Sequence, residues 1–133
     1  MGSVVVDASV ILGVLDPEDS HHSSATRALK KARAAGDDII LPASALAEVL
    51  VGASRLGTGA VRTTEAFVDT IVDQVHSIDR PVARAAAAYR SGHRSLRLPD
   101  AFVLAVGAAL NADTVLTADS TWAKVDRRVQ VIS

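Results

Sequence analysis

Short β-branched runs recur along this chain at intervals that only helices fill, and that alternation limits the fold more than any other feature. "VVV" (4–6) has the character of a buried strand, as do "DIIL" (38–41), "VHSI" (75–78), "TVLT" (114–117) and "VQVI" (129–132). The first two intervening segments have helix composition: 8–16, ending before Pro17, and 20–36, closing on Gly36. Segment 43–57 closes on glycine again, and 60–75 carries Val61, Phe67, Val68, Ile71, Val72 and Val75 at helical spacing. Segments 80–94 and 98–111 each place a proline, Pro81 or Pro99, near the helix start, where it is tolerated. Strands alternating with helices imply βαβ units. The expected fold is α/β, with a mostly parallel sheet flanked by helices on both faces. No repeat, linker or low-complexity tract breaks residues 1–133, so one domain is expected.

Hydrophobic residues make up 49% of the chain but aromatics only 3%, so aliphatic side chains and alanine must fill the core. There is no cysteine, which removes disulfides and thiolate metal sites and makes a reducing cytoplasm the expected compartment. Residues 4–6 are too short for a secretion signal and lack its basic flank, and no apolar run is long enough to cross a bilayer. The net charge of −1 does not mark a nucleic-acid binder, so any such role must rest on local charge.

The acids carry the sharper information. Asp7 stops the first strand and is followed at once by the apolar "VILGVL" (10–15). A carboxylate at that seam costs desolvation energy unless something offsets it. Parallel sheets bind ligands at the carboxyl ends of their strands. Asp7 and Asp119 follow strands, Asp100 opens a helix after Pro99, and Glu48 lies one to two turns into the helix after "DIIL". All four are expected on one rim. Each has a plainer explanation: Asp7, Asp100 and Asp119 suit helix caps or turns, and Glu48 suits a polar stripe. Together they would repel, which calls for a cation. Glu18, Asp19, Asp37, Asp38 and Asp79 flank elements in polar surroundings, while Glu65, Asp69 and Asp73 fall on one solvated helix face.

All-oxygen ligands suit Mg2+ or Mn2+ rather than zinc. His21, His22, His76 and His93 have no ligand spacing and are expected to be bystanders. Carboxylate-held Mg2+ commonly serves phosphate chemistry, and a phosphate substrate calls for a basic track nearby. Arg80, Arg84, Arg90, Arg94 and Arg97, with His93, form one that runs into Asp100. Arg80/Arg84 and Arg90/Arg94 are i, i+4 pairs expected to share helix faces, and Arg90, Arg94 and Arg97 are the expected phosphate-backbone contacts. A second basic cluster, Arg27, Lys30, Lys31 and Arg33, has the look of an ordinary solvated face.

"VVVDAS", the mid-helix "AEV", "LPDAFVLAVGAAL" and "TVLTAD" followed by Trp122 together resemble the PIN domain, over nearly the whole chain. In size the chain is similar to VapC-type toxins of bacterial toxin–antitoxin pairs. The resemblance implies a five-stranded parallel sheet and metal-dependent endoribonuclease activity on RNA phosphodiesters. It assigns catalytic and metal-holding roles to Asp7, Glu48, Asp100 and Asp119, and assisting hydroxyls to Ser9 and Thr117. It also implies a small VapB-type antitoxin as protein partner, and a homodimer. Val106 and Gly107 depart from the small polar or alanine residues more usual there, a matter of packing.

Two other classes compete. A receiver or haloacid-dehalogenase-type phosphatase also places an aspartate, here Asp7, after its first strand. The phosphatase calls for a second aspartate where Ser9 stands. Both call for a late lysine, and the only lysine after residue 31 is Lys124, with no strand directly before it. A catalytically dead binding domain would have no need of the full acid set.

Overall fold

The computed structural model describes residues 2–133. Its strands are β1 (Ser3–Val6), β2 (Asp38–Pro42), β3 (Gln74–His76), β4 (Thr114–Thr117) and β5 (Val129–Val131). They form one sheet in the order β3-β2-β1-β4-β5, with every neighbouring pair parallel. The helices are α1 (Ala8–Leu15), α2 (His22–Ala34), α3 (Ala43–Ser54), α4 (Thr58–Ile71), α5 (Arg80–Gly92) and α6 (Leu98–Ala109), with a short 3-10 helix at Ser120–Lys124. The chain moves outward from β1 to β3, then returns across the sheet to β4. Right-handed crossovers assign α1 to α4 to one face and α5 and α6 to the other. The strand order reverses between β1 and β4, where open α/β sheets bind their ligands.

Val5 and Val6 of β1, Ile39 and Leu41 of β2 and Val115 of β4 are fully buried, so the sheet centre is dry and aliphatic. Two helices reach their strands through left-handed caps, at Gly36 (φ 78°) and Asn111 (φ 49°). In each, two N–H groups turn back onto the last carbonyls: Gly36 to Arg33 and Asp37 to Ala32, Asn111 to Ala108 and Ala112 to Gly107. Gly107 is needed for a different reason. A Cβ there would lie 2.6 Å from Val115 Cγ2, so α6 rests directly on β4 only because the side chain is absent. The unusual glycine of "VLAVGAAL" is thus a packing device.

Several boundaries depart from the sequence expectation. Helix α4 ends at Ile71, not near residue 75. The Asp73 N–H bonds Ile39 O at 2.8 Å, so pairing with β2 draws the backbone out of the helix. Asp73 therefore does not share a solvated helix face with Glu65 and Asp69; its Oδ2 accepts from the Ile39 N–H at 2.7 Å. Val75 stands 38% exposed on the edge strand and Phe67 55% exposed on α4, so neither joins the core. Helix α3 ends at Ser54, and Gly57 (φ 118°) begins α4 instead of closing α3. Helix α5 ends at Gly92, which leaves Arg94 in the following turn and not one helical turn beyond Arg90.

Candidate active site

Asp7 stands between β1 and α1, only 7% exposed. Its Oδ1 accepts the Ala8 N–H at 2.8 Å; its Oδ2 accepts the hydroxyls of Ser9 at 2.7 Å and Thr117 at 3.0 Å. Each hydroxyl in turn accepts a backbone N–H, Ser9 from Ala118 at 3.1 Å and Thr117 from Asp119 at 3.0 Å. A hydroxyl has one proton, and both protons here are committed to Asp7. Ser9 and Thr117 therefore clamp Asp7 to the chain leaving β4, and have no proton left to donate elsewhere. Burial still pushes the Asp7 carboxyl up, against the pull of these donors.

Asp119 arrives from the neighbouring strand. Its Oδ1 caps the 3-10 helix through the N–H and hydroxyl of Thr121, at 2.9 and 2.7 Å. The cap function expected as the plainer explanation is thus present at both Asp7 and Asp119. Asp100 lies in the first turn of α6, where the helix dipole favours a carboxylate. Its side chain is 16% exposed, and Arg97 Nε stands 3.6 Å from its Oδ2. Burial raises the Asp100 carboxyl; Arg97 opposes this, and the charges of Asp7 and Asp119 add to the rise. Glu48, on α3, is raised by burial, then by Asp7 and Asp100, with Arg97 again opposing.

All four acids line a single open cleft of about 340 Å³, with Ala8, Ser9, Leu12, Arg97, Ala118 and Trp122. Four stretches of chain, around residues 7, 48, 100 and 119, meet there at the carboxyl ends of β1 and β4. The donor set is oxygen alone, which fits a hard divalent cation. Among the described residues, no three acidic or histidine side chains are gathered tightly enough to hold an ion as they stand. The acids share the cleft but their like charges oppose closure, and drawing them in requires added positive charge.

Of the expected RNA-contacting arginines, only Arg97 lines the cleft; Arg90 and Arg94 are exposed on and beyond the end of α5. None of the four histidines lines it. His22 Nδ1 instead lies 2.8 Å from Gly13 O, joining α2 to α1. Arg33, of the second basic cluster, donates to Ile71 O at 2.6 Å at the end of α4. Lys124 is exposed and does not line the cleft, so the lysine a receiver or phosphatase would need is missing from it. Leu12 was not singled out from sequence: 40% exposed, it lies one turn after Ser9, and i, i+3 spacing from that residue is the clue that places it there.

The family profile described as PIN domain matches residues 4–128. Among solved structures, a toxin–antitoxin complex from Klebsiella pneumoniae is similar with a TM-score of 0.77 at 20% identity, over 96% of this chain and 96% of that one. The sarcin–ricin loop cleaving toxin VapC20 of Mycobacterium tuberculosis gives 0.75 at 19% identity, over 98% and 99%. VapBC2 of Rickettsia felis, bound to a DNA fragment from their promoter, gives 0.75 at 12% identity, over 98% and 99%. No curated protein matches the sequence significantly. The profile spans nearly the whole chain, and this protein belongs to the PIN domain family.

Proposed function

We propose that this protein is a VapC-type toxin, a metal-dependent endoribonuclease that hydrolyses RNA phosphodiester bonds and is silenced by a VapB-type antitoxin. The observation that carries the proposal is the convergence of Asp7, Glu48, Asp100 and Asp119 on one cleft at the β1/β4 switch point. Mg2+ or Mn2+ held by these four would activate water and neutralise charge at the scissile phosphate. The chain's own residues do the rest. Ser9 and Thr117 fix the orientation of Asp7, and the α6 dipole supports Asp100 as an anion. Arg97 is the cation available to the RNA backbone, with Arg90 and Arg94 more distant contributors.

No cysteine is present and no histidine reaches the cleft, so no side chain here forms a nucleophile–base pair. Water is the attacking group, and the 3′ product carries a 5′-phosphate. Similarity to toxin–antitoxin complexes supports the antitoxin assignment, and a homodimeric toxin is part of the same proposal. Among the described residues, no helix is long and apolar enough to cross a membrane.

The test is incubation of the purified chain with structured RNA, in Mg2+, Mn2+ or excess EDTA, followed by analysis of the cleaved ends. Cleavage only with metal, leaving 5′-phosphates, is expected. A 2′,3′-cyclic phosphate, or full activity in EDTA, contradicts the proposal. Co-expression with the small open reading frame beside the gene should give a stable complex with suppressed nuclease activity.

A further inference from the structure

We propose that Arg97 is the cleft's own counter-ion: it pairs with Asp100 in the metal-free protein, competes with the divalent ion for that carboxylate, and turns to the RNA backbone when the ion displaces it. This rests on the metal-dependent reading above.

Among the described residues Arg97 is the one cation lining the cleft. The two partners are unequally held. Asp100 is fixed in the first turn of α6 with its side chain 16% exposed, whereas the Arg97 side chain is 79% exposed. Arg97 occupies the position before α6, and its side chain makes no capping hydrogen bond. Among the described residues only Asp100 holds the guanidinium, and at 3.6 Å in solvent that pair is a weak one. Its field reaches Glu48 as well, lowering both carboxyls against burial and mutual repulsion. An ion among the same oxygens carries twice the charge of the guanidinium and repels it at that range. Once released, the guanidinium offers five donors in a fork suited to a phosphate. Arrival of the ion and readiness for substrate are thereby coupled through one side chain.

Two variants of the full chain, Arg97→Gln and Arg97→Lys, test this with two binding measurements and no turnover. Mn2+ binding to the metal-free protein is followed by electron paramagnetic resonance, without RNA. Binding of a single-stranded, cleavage-resistant RNA is followed across a monovalent-salt series in saturating Mn2+, where Arg97 is released to the backbone. Arg97→Gln should bind Mn2+ roughly two- to fivefold more tightly than wild type, the worth of an exposed ion pair, and Arg97→Lys should stay near wild type. Arg97→Gln should also bind RNA more weakly, with a salt slope smaller by about 0.7. Equal or weaker Mn2+ binding by Arg97→Gln overturns the competition, and an unchanged RNA salt slope overturns the phosphate role. Wild type that binds no Mn2+ overturns the metal reading itself, a result separate from both.

Discussion

Acids crowd both rims of this sheet, and the two sets do different work. At the amino ends of the strands three carboxylates each accept a backbone N–H. Asp37 accepts from Gly2 at 3.0 Å, Asp113 from Ser3 at 2.9 Å and Asp73 from Ile39 at 2.7 Å. Those N–H groups lie at or beside the starts of β1 (Gly2, Ser3) and β2 (Ile39), so the carboxylates extend the ladder. At the carboxyl ends, four acids face one cleft with Arg97 as the cation beside them. Asp79 serves as a control: it too follows a strand, yet it simply caps α5 through the Val82 N–H at 3.0 Å. Position on the functional rim is therefore not enough. A carboxylate is structural where it stands alone with its donors, and chemically available where several share one cleft with a single cation.

The largest contrast should come from matched amide substitutions on the two rims. Asp100→Asn is expected to lower RNA cleavage by about 10²-fold or more, since it removes several kcal/mol of charge stabilisation in the transition state. Asp113→Asn should leave cleavage near wild type and cost about 0.5–2 kcal/mol of stability, the range for losing a carboxylate that caps backbone N–H groups. Gel assays and urea melts on the same preparations check both; equal losses of cleavage would erase the distinction between the rims.

Next in size is the hydroxyl clamp. Thr117→Val keeps the shape but strips Asp7 of a donor and the Asp119 N–H of its acceptor. It should cost about 1–3 kcal/mol of stability and about 10- to 100-fold in cleavage. Ser9→Ala should act in the same direction and less strongly, because Ser9 is less buried than Thr117. Wild-type cleavage by Thr117→Val would show that the clamp does not position Asp7.

A smaller effect concerns pH. Burial and then mutual repulsion raise the folded carboxyls of Glu48 and Asp100, and burial raises Asp7. The folded metal-free protein thus holds more protons than the unfolded chain as these groups titrate. Its stability should rise as pH falls through the raised pKa values, the gain being complete below the ordinary 3.8 and 4.5. Asp126, lowered by its donors Tyr89 and Arg128 despite burial, contributes the opposite sign, lost as pH falls through its depressed value. Urea melts at neutral and mildly acidic pH should show a flatter rise for Asp100→Asn than for wild type. The smallest effect is expected at Arg90→Ala and Arg94→Ala. Neither residue lines the cleft, so each should change the RNA salt slope by less than the 0.7 or so expected for Arg97.

Much of this was legible in the residues because the relevant rules are local. β-branched runs ending at Asp7 and before Asp119 place both acids at strand exits, and a parallel sheet brings strand exits to one rim. Glu48 and Asp100 follow from helix positions after the next strand and after Pro99. What was not legible depends on partners distant in sequence. The apolar spacing through Val72 and Val75 continues a helical period, but pairing of Asp73 with Ile39 ends the helix first. Arg94 keeps an i+4 relation to Arg90 in sequence, though the helix has already ended at Gly92. The tie from the Tyr89 hydroxyl to Asp126 at 2.5 Å, across 37 residues, leaves no local trace. The clamp is half visible: the family resemblance marks Ser9 and Thr117 as assisting hydroxyls, but only proton accounting assigns both protons to Asp7.

That clamp also decides which substitution isolates the central claim. Asp7 is both charge and scaffold, so its loss confounds the two, whereas among the described residues the one side-chain partner of Asp100 is the exposed Arg97. The decisive measurement is therefore the melting of wild type and Asp100→Asn, metal-free and with saturating Mn2+. Surplus charge at the cleft predicts that metal-free Asp100→Asn is as stable as wild type or more so. It predicts that Mn2+ stabilises wild type by about 2.7 kcal/mol at one hundred times its dissociation constant, and the variant far less. Loss of stability in metal-free Asp100→Asn, together with wild-type melting unmoved by Mn2+ or Mg2+, would contradict it.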